Sequence, residues 1–173
     1  MILFIIFVIL LLILVNACYV AAEFAAVSVR RNMIREMAEG GSKVAVHLLK
    51  ILENTRELDR YIAACQFGIT ISSLILGAYG QVQLSSYLLP LFERFGGMDS
   101  VMAASVSALV VLVGLTVFQV ILGELMPKSL ALQFPRQAAL YTYYPMRWTL
   151  TFFAWFIDFL NGSGLLLLKL FRL

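Results

Sequence analysis

The sequence has few charged residues, and this scarcity excludes an ordinary soluble domain. Only 13% of the 173 residues are Asp, Glu, Lys or Arg, whereas 62% are hydrophobic. A soluble domain is about a quarter charged and about half apolar. We therefore predict an integral membrane protein. Because no basic cluster is interleaved with aromatic residues, we expect contact with membrane lipid and no nucleic-acid partner.

Histidine and cysteine are also scarce. The chain has one histidine, His47, and two cysteines, Cys18 and Cys65, which both lie in apolar stretches. Such thiols behave as small core residues. Zinc and other transition-metal sites need clusters of cysteine, histidine or carboxylate side chains. The sequence therefore predicts neither a disulfide framework nor a site of that kind.

Long apolar runs predict the fold class. About 20 apolar residues cross the hydrocarbon core of a bilayer, and three runs reach that length, at about 2–29, 61–92 and 101–126. The polar stretch 30–60 predicts two amphipathic helices separated by a turn at Gly40 and Gly41. The predicted fold is all-α, with three transmembrane helices plus juxtamembrane and interfacial helices on the cytoplasmic side.

Residues 131–173 are rich in aromatic side chains, which are typical of the membrane–water interface. Pro145, Asp158 and the Gly-rich break at 161–164 argue against one continuous span. We therefore predict interfacial helices in this stretch. A fourth span or a re-entrant pair of helices is the alternative for residues 141–170.

The basic residues predict the orientation. Seven of the 13 Lys and Arg residues follow the first span, one (Arg94) follows the second, and five lie in the tail. By the positive-inside rule, residues 30–60 and the tail are cytoplasmic, and the N-terminus is outside. We expect a multi-pass protein of the inner or plasma membrane.

The most unusual stretch is Gly123-Glu124-Leu125-Met126-Pro127-Lys128, at the end of the third apolar run. A charged side chain at bilayer depth is costly, so Glu124 is a functional candidate. Pro127 has no N–H, and a helix would bond that group to the carbonyl of Gly123. One free carbonyl would then lie beside one carboxylate. A surface ion pair between Glu124 and Lys128 is the alternative.

Other polar side chains lie within the apolar runs. The first run carries Asn16 and Glu23 on one helical face; the second carries Thr70, Ser72 and Ser73; the third carries Gln119. Hydroxyls in spans often bond back to their own helix, and amides often bond neighbouring helices. Glu23 lies near the cytoplasmic end, where pairing with an arginine or capping a helix is the favoured interpretation.

These groups together offer one carboxylate, amide oxygens, hydroxyls and a bare carbonyl. Oxygen ligands of this kind suit Mg²⁺, Ca²⁺ or Na⁺. In addition, Ala64, Gly68 and Ser72 recur every four residues, which allows close helix packing within the chain or at a dimer seam.

The order of motifs resembles a known family. The stretches 16–25, Arg30-Arg31, 68–73 and 123–129 occur at suitable spacing, and Gly-Glu-x-x-Pro-Lys is the most specific of them. Together they resemble the DUF21 transmembrane domain of the CorC/CNNM (cyclin M) family. The resemblance covers nearly the whole chain.

The resemblance implies a homodimer that exports Mg²⁺ with Na⁺ as the coupling ion. It implies that oxygens from all three spans hold Mg²⁺ near a broken helix. Carried over, the ligands are Asn16, Ser72, Ser73, the Gly123 carbonyl and Glu124, with Thr70, Gln119, Pro127, Lys128 and Glu23 as supporting candidates. Relatives also carry nucleotide-sensing CBS domains and a C-terminal CorC domain. We expect neither in this chain, which resembles a truncated membrane domain or a natural minimal form.

The predicted function is therefore alternating-access Mg²⁺ transport, and not an enzyme activity. A membrane sensor or scaffold that binds Mg²⁺ without moving it is the first alternative. An intramembrane enzyme is the second, but the loop at 161–164 lacks the first glycine of a serine-protease motif.

Overall fold

The computed structural model describes residues 1–97, 99–159 and 162–163, and every regular element among them is helical. The α-helices are α1 (Ile2–Ser28), α2 (Arg31–Glu39), α3 (Lys43–Glu53), α4 (Thr55–Gly96), α5 (Ser100–Phe118), α6 (Met126–Gln133) and α7 (Pro135–Phe152). A π-helical turn, Gln119–Leu125, joins α5 to α6 without a break.

Three helical segments in the described part are long and apolar enough to cross a membrane: Ile2–Ser28, Thr55–Arg94 and Ser100–Gln133. The prediction of an all-α membrane protein with three such helices is confirmed. Large apolar side chains lie exposed along these segments, among them Leu3, Phe7, Leu14, Leu74, Leu109 and Phe118. Because the core of a bilayer contains no water, such an apolar surface suits contact with lipid.

The chain forms two compact units, of which the first comprises Met1–Ala17 and Thr70–Met126. Its core is built from one face of α1, where Ile5, Ile9 and Ile13 recur every four residues. Leu76 of α4 and two residues of α5, Val111 and Leu115, complete this core. Gly80 lies directly against the Leu115 side chain, where a Cβ atom would collide with it.

The second unit comprises Cys18–Ile69 and Pro127–Leu173. Small residues of α1 (Ala22, Ala25 and Ala26) pack with larger side chains in its core, including Ile34, Leu48, Leu52, Tyr61 and Met146. The Tyr19 ring fills the space that Gly68 leaves without a side chain, since an added Cβ would lie 2.5 Å from the ring. The glycine in the small-residue stripe therefore admits an aromatic ring of α1.

Local signals explain where the polar helices begin and end. Gly41 adopts a positive φ of 90° in the turn between α2 and α3, a conformation that glycine tolerates. The Ser42 hydroxyl accepts a bond from the Ala45 N–H and caps α3. The Asn54 side chain accepts bonds from the N–H groups of Arg56 and Glu57 at the start of α4. These caps separate α3 from the long second span.

The aromatic tail begins with α7 and continues as helix through residues 154–159. Pro145 lies inside α7 and does not end it. The helix is not among the three spanning candidates of the described part. Asp158 forms an ion pair with Arg60, with Oδ1 2.9 Å from Nε. Asn161, the apolar stretch 165–168, Lys169 and Arg172 lie outside the described residues.

Candidate ion-binding site

Asn16 is the centre of a polar cluster in the first unit. Its side chain is fully buried. The amide oxygen Oδ1 accepts hydrogen bonds from Ser72 Oγ at 2.8 Å and from Ser73 Oγ at 3.3 Å. The amide nitrogen Nδ2 donates to the carbonyl oxygen of Gly123 at 3.2 Å. One side chain of α1 thus joins α4 to the π-helical turn.

The helix periods explain how these groups meet. Asn16 follows Ile5, Ile9 and Ile13 on the buried face of α1, so it lies where the apolar core ends. Ser72 lies four residues before the buried Leu76 on α4, one helical turn away on the same face. The cluster therefore replaces a layer of apolar core with amide and hydroxyl groups.

The π-helical turn presents the third partner, Gly123. Across Gln119–Leu125 the hydrogen bonds are one residue longer than in an α-helix, and the Met126 N–H bonds the Ile121 carbonyl. Such turns occur often at functional sites. Pro127 follows at once and cannot donate to Gly123. The chain stays helical through this stretch, so the predicted break takes the form of a π-helical turn.

Gly123 is buried, and its lack of a side chain permits the contact with Asn16. A Cβ atom added at Gly123 would lie 3.0 Å from Asn16 Nδ2, closer than most Cβ contacts. A larger residue would therefore require the Asn16 amide to shift by a few tenths of an ångström. This close approach is a physical reason for glycine at the start of the Gly-Glu-x-x-Pro-Lys stretch.

Glu124 follows Gly123 in the same turn and is partly exposed. Among the residues that the structure describes, its carboxylate makes no hydrogen bond and no ion pair. Lys128, its predicted alternative partner, places its Nζ atom 4.5 Å from the centre of the Phe24 ring. The Glu124 carboxylate is therefore available to a cation.

The supporting candidates differ in their placement. Gln119 joins the cluster, because its Nε2 donates to Ser73 Oγ. Thr70 is exposed on α4. In the second unit, Glu23 Oε1 accepts from Gln66 Nε2 at 3.5 Å, so its described partner is an amide and not an arginine. The sequence did not predict this contact of Gln66, nor that the Tyr19 hydroxyl lies 2.9 Å from Thr149 Oγ1. Side-chain partners on different helices leave no local sequence signal.

The donor set is chemically suited to a hard cation. The Asn16 side chain gathers four neutral oxygens: its own Oδ1, the hydroxyls of Ser72 and Ser73, and the carbonyl of Gly123. The residue after Gly123 is Glu124, which carries a carboxylate. A carbonyl oxygen has two lone pairs, so Gly123 can accept from Asn16 and still face an ion. The described residues contain no group of three or more His, Cys, Asp or Glu side chains that could hold a metal.

Comparison with known proteins identifies the family. The model of the Cyclin M transmembrane N-terminal domain matches residues 6–173. The chain is similar to the UPF0053 proteins YhdT and YugS of Bacillus subtilis. YhdT is 40% identical over 162 residues, which cover 94% of this chain and 34% of the relative. YugS is 37% identical over 157 residues, which cover 91% and 36%.

A more distant relative has a functional name. The Polyamine export protein of Haemophilus influenzae is 25% identical over 163 residues, covering 94% of this chain and 36% of that protein. The chain spans about a third of the length of these curated relatives. The family resemblance of the motifs is confirmed: the chain belongs to the cyclin M (CNNM) family and carries its transmembrane N-terminal domain.

Proposed function

We propose that this chain transports Mg²⁺ across a membrane by alternating access, with Na⁺ as the coupling ion. Membership of a family with a transmembrane domain and a relative named for export support a transporter. The observation that carries the choice of ion is the buried Asn16, which gathers two hydroxyls and the carbonyl of Gly123. The next residue, Glu124, has a carboxylate with no ion-pair partner among the described residues. Mg²⁺ prefers such oxygen ligands.

The proposed ligands are Asn16 Oδ1, Ser72 Oγ, Ser73 Oγ, the Gly123 carbonyl and Glu124. Their hydrogen bonds satisfy one another without an ion, so a bound ion would exchange those bonds for coordination. One formal charge among neutral oxygens limits affinity, which suits release on the other side. Gln119 is a positioning residue that holds Ser73.

The assembly is proposed to be a homodimer, with the basic stretch 30–60 and the tail on the cytoplasmic side. The asymmetry of Lys and Arg supports this orientation. Transport outward from the cytoplasm follows the direction that the family resemblance implies.

The test is ion flux in sealed liposomes that contain only the 173-residue chain. A Mg²⁺-sensitive dye inside the vesicles should report flux that increases with an opposing Na⁺ gradient. Glu124→Gln should abolish it, because the substitution keeps the shape and removes the charge. Glu93→Gln, at an exposed carboxylate of α4, is the matched control and should leave flux unchanged. Equal flux from wild type and Glu124→Gln would contradict the proposed site.

Two other functions predict different results in the same vesicles. A sensor or scaffold would bind Mg²⁺ in calorimetry and produce no flux. A polyamine transporter, the second candidate substrate class, is supported by the name of the Haemophilus influenzae relative. In that case spermidine would be transported and would compete with Mg²⁺. A polyamine carries several separated ammonium groups, whereas the described cluster has one carboxylate, so we favour Mg²⁺.

A further inference from the structure

A cavity in the second unit with several charged side chains in its lining has no role in the proposed transport. It has a volume of about 800 Å³ and lies among α3, the start of α4, and α7. Three of its lining residues are cations: Lys50, Arg60 and Arg147. Two are carboxylates, Glu53 and Glu57. The cavity is therefore rich in charge in a protein that has little.

The ion pairs leave this cavity with excess positive charge. Arg60 is paired with Asp158, and Glu53 accepts a bond from Arg35 at 2.6 Å. Among the described residues, Lys50 and Arg147 have no carboxylate partner within ion-pair distance, and Glu57 has no cationic one. Two unpaired cations against one unpaired carboxylate favour an anionic ligand.

Arg147 connects this cavity to an aromatic hollow. Arg147 and Thr151 line both spaces, and Tyr144, Trp148 and Phe152 line the second one, of about 390 Å³. Trp148 and Phe152 are each 69% exposed. Exposed aromatic side chains at helical spacing on α7 are typical of the headgroup layer. A cationic cavity thus adjoins an apolar surface along one helix.

We propose that this cavity binds the headgroup of an anionic phospholipid. Lys50 and Arg147 contact the phosphate, and the acyl chains lie along Trp148 and Phe152. Arginine and lysine bind phosphate through charge-assisted hydrogen bonds. Soluble phosphate would use the cations alone, whereas a lipid would also bury its apolar tail against the adjoining aromatic hollow.

The test uses the full chain in nanodiscs that contain equal amounts of phosphatidylglycerol and phosphatidylcholine. Native mass spectrometry measures which lipid stays bound. The wild type should retain phosphatidylglycerol in preference to phosphatidylcholine. Each cation removed in Lys50→Gln and Arg147→Gln should lower that preference about fivefold. Arg56→Gln is the matched control, because Arg56 is exposed and does not line the cavity; it should keep the preference.

Two further measurements distinguish a bound lipid from bound phosphate and from loss of folding. Trp148→Ala should reduce lipid retention without changing the binding of inorganic phosphate. Should the variant that combines Lys50→Gln with Arg147→Gln fail to elute as a folded species, Arg147→Gln is compared with Arg147→Lys, and only the lysine should keep the preference. Equal retention of both lipids by the wild type, or displacement of lipid by millimolar inorganic phosphate alone, would overturn the proposal.

Discussion

Two regions of the first unit contain serine or threonine hydroxyl groups that bond differently. On α5, Ser105, Ser107 and Thr116 each donate to the carbonyl four residues earlier in the same helix. Near the π-helical turn, Ser72 and Ser73 donate to Asn16 on another helix. Self-bonded hydroxyls satisfy their own helix, whereas the bonds of Ser72 and Ser73 to Asn16 join α4 to α1.

Under the proposed function, this difference distinguishes packing residues from proposed ligands of the same residue type. A hydroxyl bonded to its own backbone has no need of an ion. In the proposed site, an ion would replace the hydrogen bonds of the Asn16 cluster, whose donors and acceptors are side chains and one carbonyl of the π-helical turn. We expect substitutions in this cluster to change ion binding and substitutions on α5 to leave it unchanged.

The largest expected effect comes from Glu124→Ala, which removes the only carboxylate of the proposed ligand set. Even an outer-shell partner of a metal contributes about 10–100-fold in affinity, so loss of this charged ligand should abolish measurable Mg²⁺ binding. Titration calorimetry in detergent checks this, with size-exclusion chromatography as evidence of folding. Glu93→Ala should bind as the wild type does. Unchanged Mg²⁺ affinity in Glu124→Ala would show that the proposed site does not bind the ion through this carboxylate.

Asn16→Ala should have the next largest effect, on both stability and binding. It leaves the Ser72 and Ser73 hydroxyls without that acceptor and the Gly123 carbonyl without that donor. Cross-helix hydrogen bonds in membrane proteins average about 0.6 kcal/mol each, so the loss of the bonds to Ser72, Ser73 and Gly123 should lower the free energy of unfolding by about 2 kcal/mol. Mg²⁺ affinity should fall about tenfold or more. Thermal denaturation followed by tryptophan fluorescence, with and without Mg²⁺, measures both.

Asn16→Asp tests whether the Asn16 cluster binds a cation or only packs the helices. It keeps an oxygen for the two serines but replaces the Nδ2 donor with a second oxygen facing the Gly123 carbonyl. The protein without metal should be less stable than wild type, and Mg²⁺ should recover the loss because a cation can lie between two oxygens. Equal destabilisation of Asn16→Asp with and without Mg²⁺ would show that the cluster is a packing element.

Pro127→Ala should have a smaller effect. The new N–H can bond the Gly123 carbonyl and draw the π-helical turn back toward an α-helix. One hydrogen bond contributes about 1 kcal/mol net, so Mg²⁺ affinity should fall about fivefold. Pro145→Ala is the matched control, since Pro145 also lies inside a helix but outside the cluster. Identical calorimetric titrations of the two variants would refute the role of the freed carbonyl.

The sequence predicted a large part of the fold because membrane helices follow composition directly. Apolar length is sufficient to identify Ile2–Ser28 and the two later spanning segments. The odd carboxylate and the proline at 124 and 127 marked the candidate site without any structure. The ends of the helices were harder to predict than their existence. α4 begins at Thr55, because Asn54 caps it. Hydropathy alone assigns this polar stretch to the preceding helices.

The sequence could not predict how the site residues pair. The Asn16 amide could bond any helix, and only the packing of α1 shows that it faces Ser72, Ser73 and Gly123. Nor could it predict the π-helical turn at Gln119–Leu125, because composition and periodicity do not show where a helix changes to hydrogen bonds one residue longer. The sequence also could not predict the cavity around Lys50 and Arg147, since its lining residues come from stretches almost a hundred positions apart.

The smallest effect distinguishes two serines that are both buried, Ser72 and Ser107. Ser72→Ala removes a cross-helix bond, and such bonds average about 0.6 kcal/mol in membrane proteins. Because Ser72 is also a proposed ligand, Mg²⁺ affinity should fall severalfold. Ser107→Ala removes only a bond to the Ala103 carbonyl and should leave affinity unchanged. The two variants lose the same atom at similar burial, so calorimetry compares a serine of the proposed site with a serine outside it. Equal Mg²⁺ affinities of the two variants would show that a serine bonded to another helix is no more important for ion binding than a serine bonded to its own helix.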